Sequence, residues 1–226
     1  VMDAANDLNS SKFIGLLNKK NTSNVFISNV KKHLMKYDGK RRIASFLYDI
    51  SEQEYKKFYK DNVDVDISKV PACGLALFSI VDDTADLYVI GNCAVSIVYK
   101  DGTVETLKDI KFLSVENDEI KEASSIAEKK HISFKSALKY IKDLQIRNRK
   151  LMNTSEGYQF LTPSQKPQFK FIHKNISLDI ISKIYLYSSN FIQAMSNLKL
   201  YDNEFAVFEK NLELSHILTD IIALLN

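Results

Sequence analysis

A break inside a long β-rich stretch constrains this chain more than any other feature. The first run reads Ala72-Cys73-Gly74-Leu75-Ala76-Leu77-Phe78-Ser79-Ile80. After a short polar interruption comes Asp86-Leu87-Tyr88-Val89-Ile90, then Gly91-Asn92, then Cys93-Ala94-Val95-Ser96-Ile97-Val98-Tyr99 and Asp101-Gly102. A glycine inside a strand costs roughly 1 kcal/mol against alanine and marks a bulge or a close approach to the backbone. Gly91-Asn92 is therefore where something is expected to come close to the main chain. Asp101-Gly102, between two β-rich runs, is a strong hairpin signal.

Helical spacing of apolar residues marks the flanking segments. Phe13, Leu16 and Leu17 begin a helical stretch over about 10–38 that carries Val25, Phe26, Val30 and Leu34 and ends at Asp38-Gly39. A second helical block covers about 40–60, within which Ser51 reads as a cap for Glu52-Gln53-Glu54. Residues 61–70 read as loop. Strands are expected at about 73–81, 86–91, 93–99 and 103–107, opened by Pro71. Helices follow at about 116–130 and about 133–151, the latter capped by Ser133. Apolar runs at about 158–161, 169–172 and 184–187 read as further β pieces, and about 202–226 reads as a closing helix. This order of helices, strands, helices, strands and helix fits an α+β fold. The layers expected are a four-layer α-β-β-α sandwich with two stacked antiparallel sheets, in a single domain over residues 1–226.

Bulk properties narrow the function classes. An apolar fraction of 45% and a charged fraction of 26% are ordinary for a globular protein. A net charge of +3 does not supply the clustered basic stripe that nucleic acid needs. No apolar run approaches the length of a membrane span. Cys73 and Cys93 each fall inside an expected strand, with no Cys/His spacing of a zinc site. Two buried thiols in a reducing compartment are expected ahead of a structural disulfide, hence a cytoplasmic location. The histidines are scattered, with no spacing that suggests a ligand set.

Four segments carry a resemblance to the metal-dependent protein phosphatases of type 2C, in a divergent bacterial form. Val1-Met2-Asp3-Ala4 is similar to that family's apolar-apolar-Asp-Gly motif. Ile90-Gly91-Asn92-Cys93 is similar to its Gly-Asp-Ser or Gly-Asp-Cys strand. The run from Arg147 through Asn153 to Gly157-Tyr158 is similar to a helix end entering a Gly-Tyr pair. Tyr187-Ser188-Ser189-Asn190-Phe191 is similar to its strand ending in Ser-Asp-Gly-Phe. The resemblance implies that Asp3 is the catalytic, bridging metal ligand and that the Ala4 backbone carbonyl ligates one cation. It implies Asn92, Ser189 and Asn190 as pocket positions; Arg147 and Arg149 are candidate phosphate-binding groups by their guanidinium forks, or serve the C-terminal dipole of their helix. The implied cofactor is Mg²⁺ or Mn²⁺.

The departures from that pattern are chemical. Asn92 and Ser189 stand where the family has carboxylates, Ala4 and Asn190 where it has glycine. A dinuclear Mg²⁺ or Mn²⁺ site needs several hard oxygen ligands, mostly carboxylates. The expectation is therefore a degenerate phosphatase domain that acts as a binding or regulatory module. Its partner would be a phosphoprotein or another protein, with no nucleic acid and no membrane. The alternative is an active serine/threonine phosphoprotein phosphatase whose missing ligands lie in segments outside this chain or come from acids such as Asp7, Asp202 or Asp220. An unrelated α+β interaction domain is the third reading, and the oligomeric state stays open.

Overall fold

The computed structural model describes residues 1–4, 22–39, 41–60 and 65–188. Two antiparallel sheets lie face to face. The first has four strands, in the order β1 (Met2–Ala4), β2 (Cys73–Val81), β3 (Thr84–Ile90) and β6 (Ile172–Ser177). The second has three, in the order β5 (Val104–Lys108), β4 (Cys93–Tyr99) and β7 (Ile181–Ser188). Alternation along each strand builds the interior between them. Ala76, Ala85, Leu87, Val89 and Ile176 of the first sheet meet Cys93, Val95 and Ile97 of the second. At one edge Lys174 of β6 reaches across to Glu105 of β5, its Nζ donating to Oε1 at 2.7 Å.

Two helices cover the outer face of the first sheet. They are α1 (Thr22–Leu34) and α2 (Ile43–Lys60). α2 buries Ile43, Leu47, Ile50, Ser51 and Glu54, one stripe at helical spacing. These pack with Phe26 and Val30 of α1 against Leu75, Tyr88 and Ile90. The buried Glu54 carboxylate is matched by donors, Asn29 Nδ2 at 2.8 Å and Lys57 Nζ at 2.5 Å. Ser51 is not the cap expected of it. It lies inside α2 and donates its hydroxyl to the Thr162 carbonyl at 2.5 Å, tying the helix to a distant segment.

A second helical group follows β5. α3 (Ile110–Lys130) starts six residues before the expected position because the Asp109 side chain accepts from Phe112 N and caps it. The single helix expected at about 133–151 is two, α4 (Phe134–Ala137) and α5 (Lys142–Lys150). Between them Tyr140 N donates to Ala137 O, a tighter turn than the α-helical one. The Ser133 cap is present, accepting from Ser136 N at 3.2 Å. Ala137 and Ile141 pack on Ala123 of α3, and Phe112 and Val115 pack on Tyr158 and Phe160.

The fold is the expected α+β sandwich of two stacked antiparallel sheets with flanking helices, consistent with an α-β-β-α order. Segments 158–161 and 169–171 are not strands. Leu161 makes one isolated bridge to Cys73, and Phe160, Leu161 and Phe169 serve as buried packing instead. Apolar runs this short do not by themselves distinguish strand from core-filling loop. The helix expected at about 202–226 lies outside the described residues. No helix among the described residues is long and apolar enough to cross a membrane.

Candidate functional site at the sheet switch

Gly91-Asn92 is not an interruption within one strand. It is the point where the chain leaves the first sheet at Ile90 and enters the second at Cys93. Two glycines make the crossing possible. Gly91 has φ +74°, and a Cβ on it would lie 2.8 Å from the Gly74 Cα and 3.0 Å from the Phe160 ring. A Cβ on Gly74 would lie 2.1 Å from the Asn92 Oδ1. The Asn92 amide therefore lies directly over the bare backbone of β2, and it is only 8% exposed.

Backbone register brings other expected positions to the same end. Asp3 is opposite Gly74 in the β1–β2 ladder, and Ala4 is opposite Cys73. Cys93, next to Asn92, is opposite Ser188, the last residue of β7. Ser189 and Asn190 lie outside the described residues. Asp3 and Asn92 thus share Gly74 as a common neighbour, and the end of β7 lies one ladder position from Asn92.

The two arginines do not form a pair. Arg147 is exposed on α5. Arg149 is buried and donates from Nη2 to the Val70 carbonyl at 2.9 Å. It also neighbours Tyr158, whose phenol burial pushes up to about 12 while Arg149 opposes that rise. Arg149 thus joins α5 to the segment that leads into β2. Both cysteines are buried free thiols.

Among the described residues, the switch offers a neutral amide where the resemblance implies a charged ligand of a dinuclear cation centre. Among the described residues no group of three or more His, Cys, Asp and Glu side chains could hold a metal ion. The switch position itself carries a neutral amide, packed on Gly74. Magnesium and manganese favour clustered carboxylate oxygens, and an amide brings no charge to balance theirs.

Sequence reasoning passed over Gly74, although a glycine inside a β-run was the available signal. It also passed over three lysines beside the switch. Lys108 pairs with Ala94 at this end of the second sheet, and it lines a cleft together with Lys111 and Lys170. These three are far apart in sequence, and no spacing rule links them.

No family model matches the chain, and no curated relative matches it. A solved structure, the crystal structure of serine/threonine phosphatase Stp1 from Staphylococcus aureus, is similar to it at 8% identity and a TM-score of 0.45. That likeness covers 86% of this chain and 71% of the other, and at this closeness it carries no argument about activity.

Proposed function

We propose that this chain is a type 2C phosphatase-like sandwich that works by binding a protein partner rather than by hydrolysing phosphate. The observation that supports this is the Asn92 amide seated on Gly74 at the sheet switch. An aspartate there would offer a charged oxygen to a cation, whereas the amide offers a neutral one. Metal-assisted phosphate hydrolysis draws on ions that activate water and clamp the phosphate oxygens. With Asn92 at the switch, the implied bridging ligand Asp3 has, among the described residues, no cluster of carboxylates to complete such a site. Both faces of the first sheet are closed by apolar packing, so the sandwich has a hydrophobic core apart from the switch.

Hydrolysis of 4-nitrophenyl phosphate in millimolar Mn²⁺ tests this reading. The wild-type chain and Asp3→Asn are expected to match each other and the protein-free rate. Turnover by the wild type that disappears in Asp3→Asn would contradict it. That outcome would establish instead an active Mg²⁺- or Mn²⁺-dependent phosphoprotein phosphatase with Asp3 as the bridging ligand.

A further inference from the structure

Beside the sheet switch the surface opens into a cleft of about 990 Å³. Its apolar lining includes Ile110 at the start of α3, Pro167, and Phe171 and Ile172 where the chain enters β6. One wall is the segment 153–159, which is held firmly. Asn153 donates to Thr162 Oγ1 at 3.1 Å and accepts from Phe160 N at 2.8 Å. Gly157 packs so closely that a Cβ would lie 1.8 Å from the Leu151 carbonyl oxygen. The cleft therefore needs little ordering before a ligand enters.

Charge around the cleft has one predominant sign. Lys108 ends β5, Lys111 lies in the first turn of α3, and Lys170 precedes β6. The Lys111 ammonium is fixed at the wall by the Ser155 carbonyl at 2.9 Å. Among the described residues Asp109 is the acid of the lining, and its two oxygens already accept from Phe112 N and Gln159 N, each at 3.1 Å. The 21-residue α3 also begins here, and the Asp109 carboxylate caps its N-terminus. Three ammonium groups around apolar side chains suit a ligand that is both anionic and partly apolar.

The adjoining strand indicates the form of that ligand. β6 pairs with β3 on one side, and among the described residues it has no strand on the other. An extended chain leaving the cleft at Ile172 meets that open edge, where main-chain hydrogen bonds can continue.

We propose that this cleft docks an extended segment of a partner protein in which closely spaced negative charges alternate with apolar residues. The proposal goes beyond the phosphatase-like reading. Turnover in the Mn²⁺ assay would end the non-hydrolytic part of that reading and leave this proposal standing.

Fluorescence anisotropy with three labelled octapeptides tests it, one alternating Glu and Leu, one alternating phosphoserine and Leu, and one alternating Gln and Leu. The first two are expected to bind in a salt-sensitive manner and the third not to bind. The tighter of the first two identifies whether carboxylates or phosphates are the natural charge. Lys170→Glu and Lys108→Glu should each weaken binding by about tenfold. Lys129→Glu, in the last turn of α3, should leave it unchanged. Lys170→Gln, a milder change at an exposed position, should weaken binding in the same direction and guards against misfolding of the charge reversals. Equal binding of the Gln peptide would overturn the proposal. So would a loss in Lys129→Glu equal to that in the cleft variants, or full displacement of the peptide by millimolar inorganic phosphate.

Discussion

Strand β4 is bounded by two glycine-containing turns that make opposite demands. At its start, Gly91-Asn92 moves the chain from one sheet to the other. At its end, Asp101-Gly102 closes an exposed hairpin to β5, with Asp101 Oδ1 accepting from Thr103 N at 2.9 Å. Both glycines have positive φ, +74° and +86°. Around Gly102 nothing among the described residues lies within 4 Å of a would-be Cβ, whereas Gly91 would meet Gly74 and Phe160. The hairpin glycine is required by backbone conformation alone. The switch glycine is required by conformation and by space, because two strands and an amide pass through the same point. A site built there is rigid and tolerates little substitution.

The largest effect that could break this comparison is Gly91→Ala. Left-handed strain and the clash with β2 together should destabilise the fold by about 3 kcal/mol or more, read by urea unfolding. Gly74→Ala should destabilise by about 2–3 kcal/mol, because its new methyl displaces the Asn92 amide. That claim sharpens in a double-mutant cycle. Gly74→Ala combined with Asn92→Ala should be more stable than the sum of the single changes by about 1 kcal/mol or more. Strict additivity would mean that the amide does not occupy the space over Gly74. Gly102→Ala should destabilise by only about 1 kcal/mol, the conformational part alone. A loss equal to that of Gly91→Ala would remove the distinction between the two turns.

The smallest effect concerns pH at the sandwich edge. Hydrogen bonds from Lys174 and then Tyr99 hold the Glu105 carboxyl below its ordinary value of 4.5. A carboxyl with a lowered folded-state pKa stabilises the fold fully above its ordinary value. That contribution is lost as the pH falls toward the lowered one. Acid unfolding of Glu105→Gln should therefore depend slightly less on pH below about 4.5 than that of the wild type. The effect is small because the pair is about one-third exposed and screened by solvent. A steeper dependence in the variant would contradict the assignment.

What the sequence disclosed was local. The bounds of β2 and β4 follow from their β-rich apolar runs and match those expected, and the Asp101-Gly102 hairpin and the Ser133 cap follow from turn and cap chemistry. What it concealed was non-local. Nothing in Ile90-Gly91-Asn92-Cys93 tells which sheet each side joins, since that depends on β6 and β7 arriving from far along the chain. Ser51 resembles a cap in its local context, and only its bond to Thr162 explains its place inside α2. Phe160, Leu161 and Phe169 look like strand residues because burial and β-pairing select the same side chains. Of the site, Asp3 and Asn92 could be named from motif and are joined through Gly74 by backbone register. The three lysines of the cleft could not, because only the folded chain brings their segments together.

Isothermal titration of Mn²⁺ into the chain, with Asp3→Asn as the control, tests most directly whether the switch end holds a neutral amide in place of a metal centre. The account predicts no binding heat up to millimolar ion in either protein. Micromolar binding by the wild type that vanishes in Asp3→Asn would contradict it, and would mean that a cation site assembles around Asp3 despite Asn92.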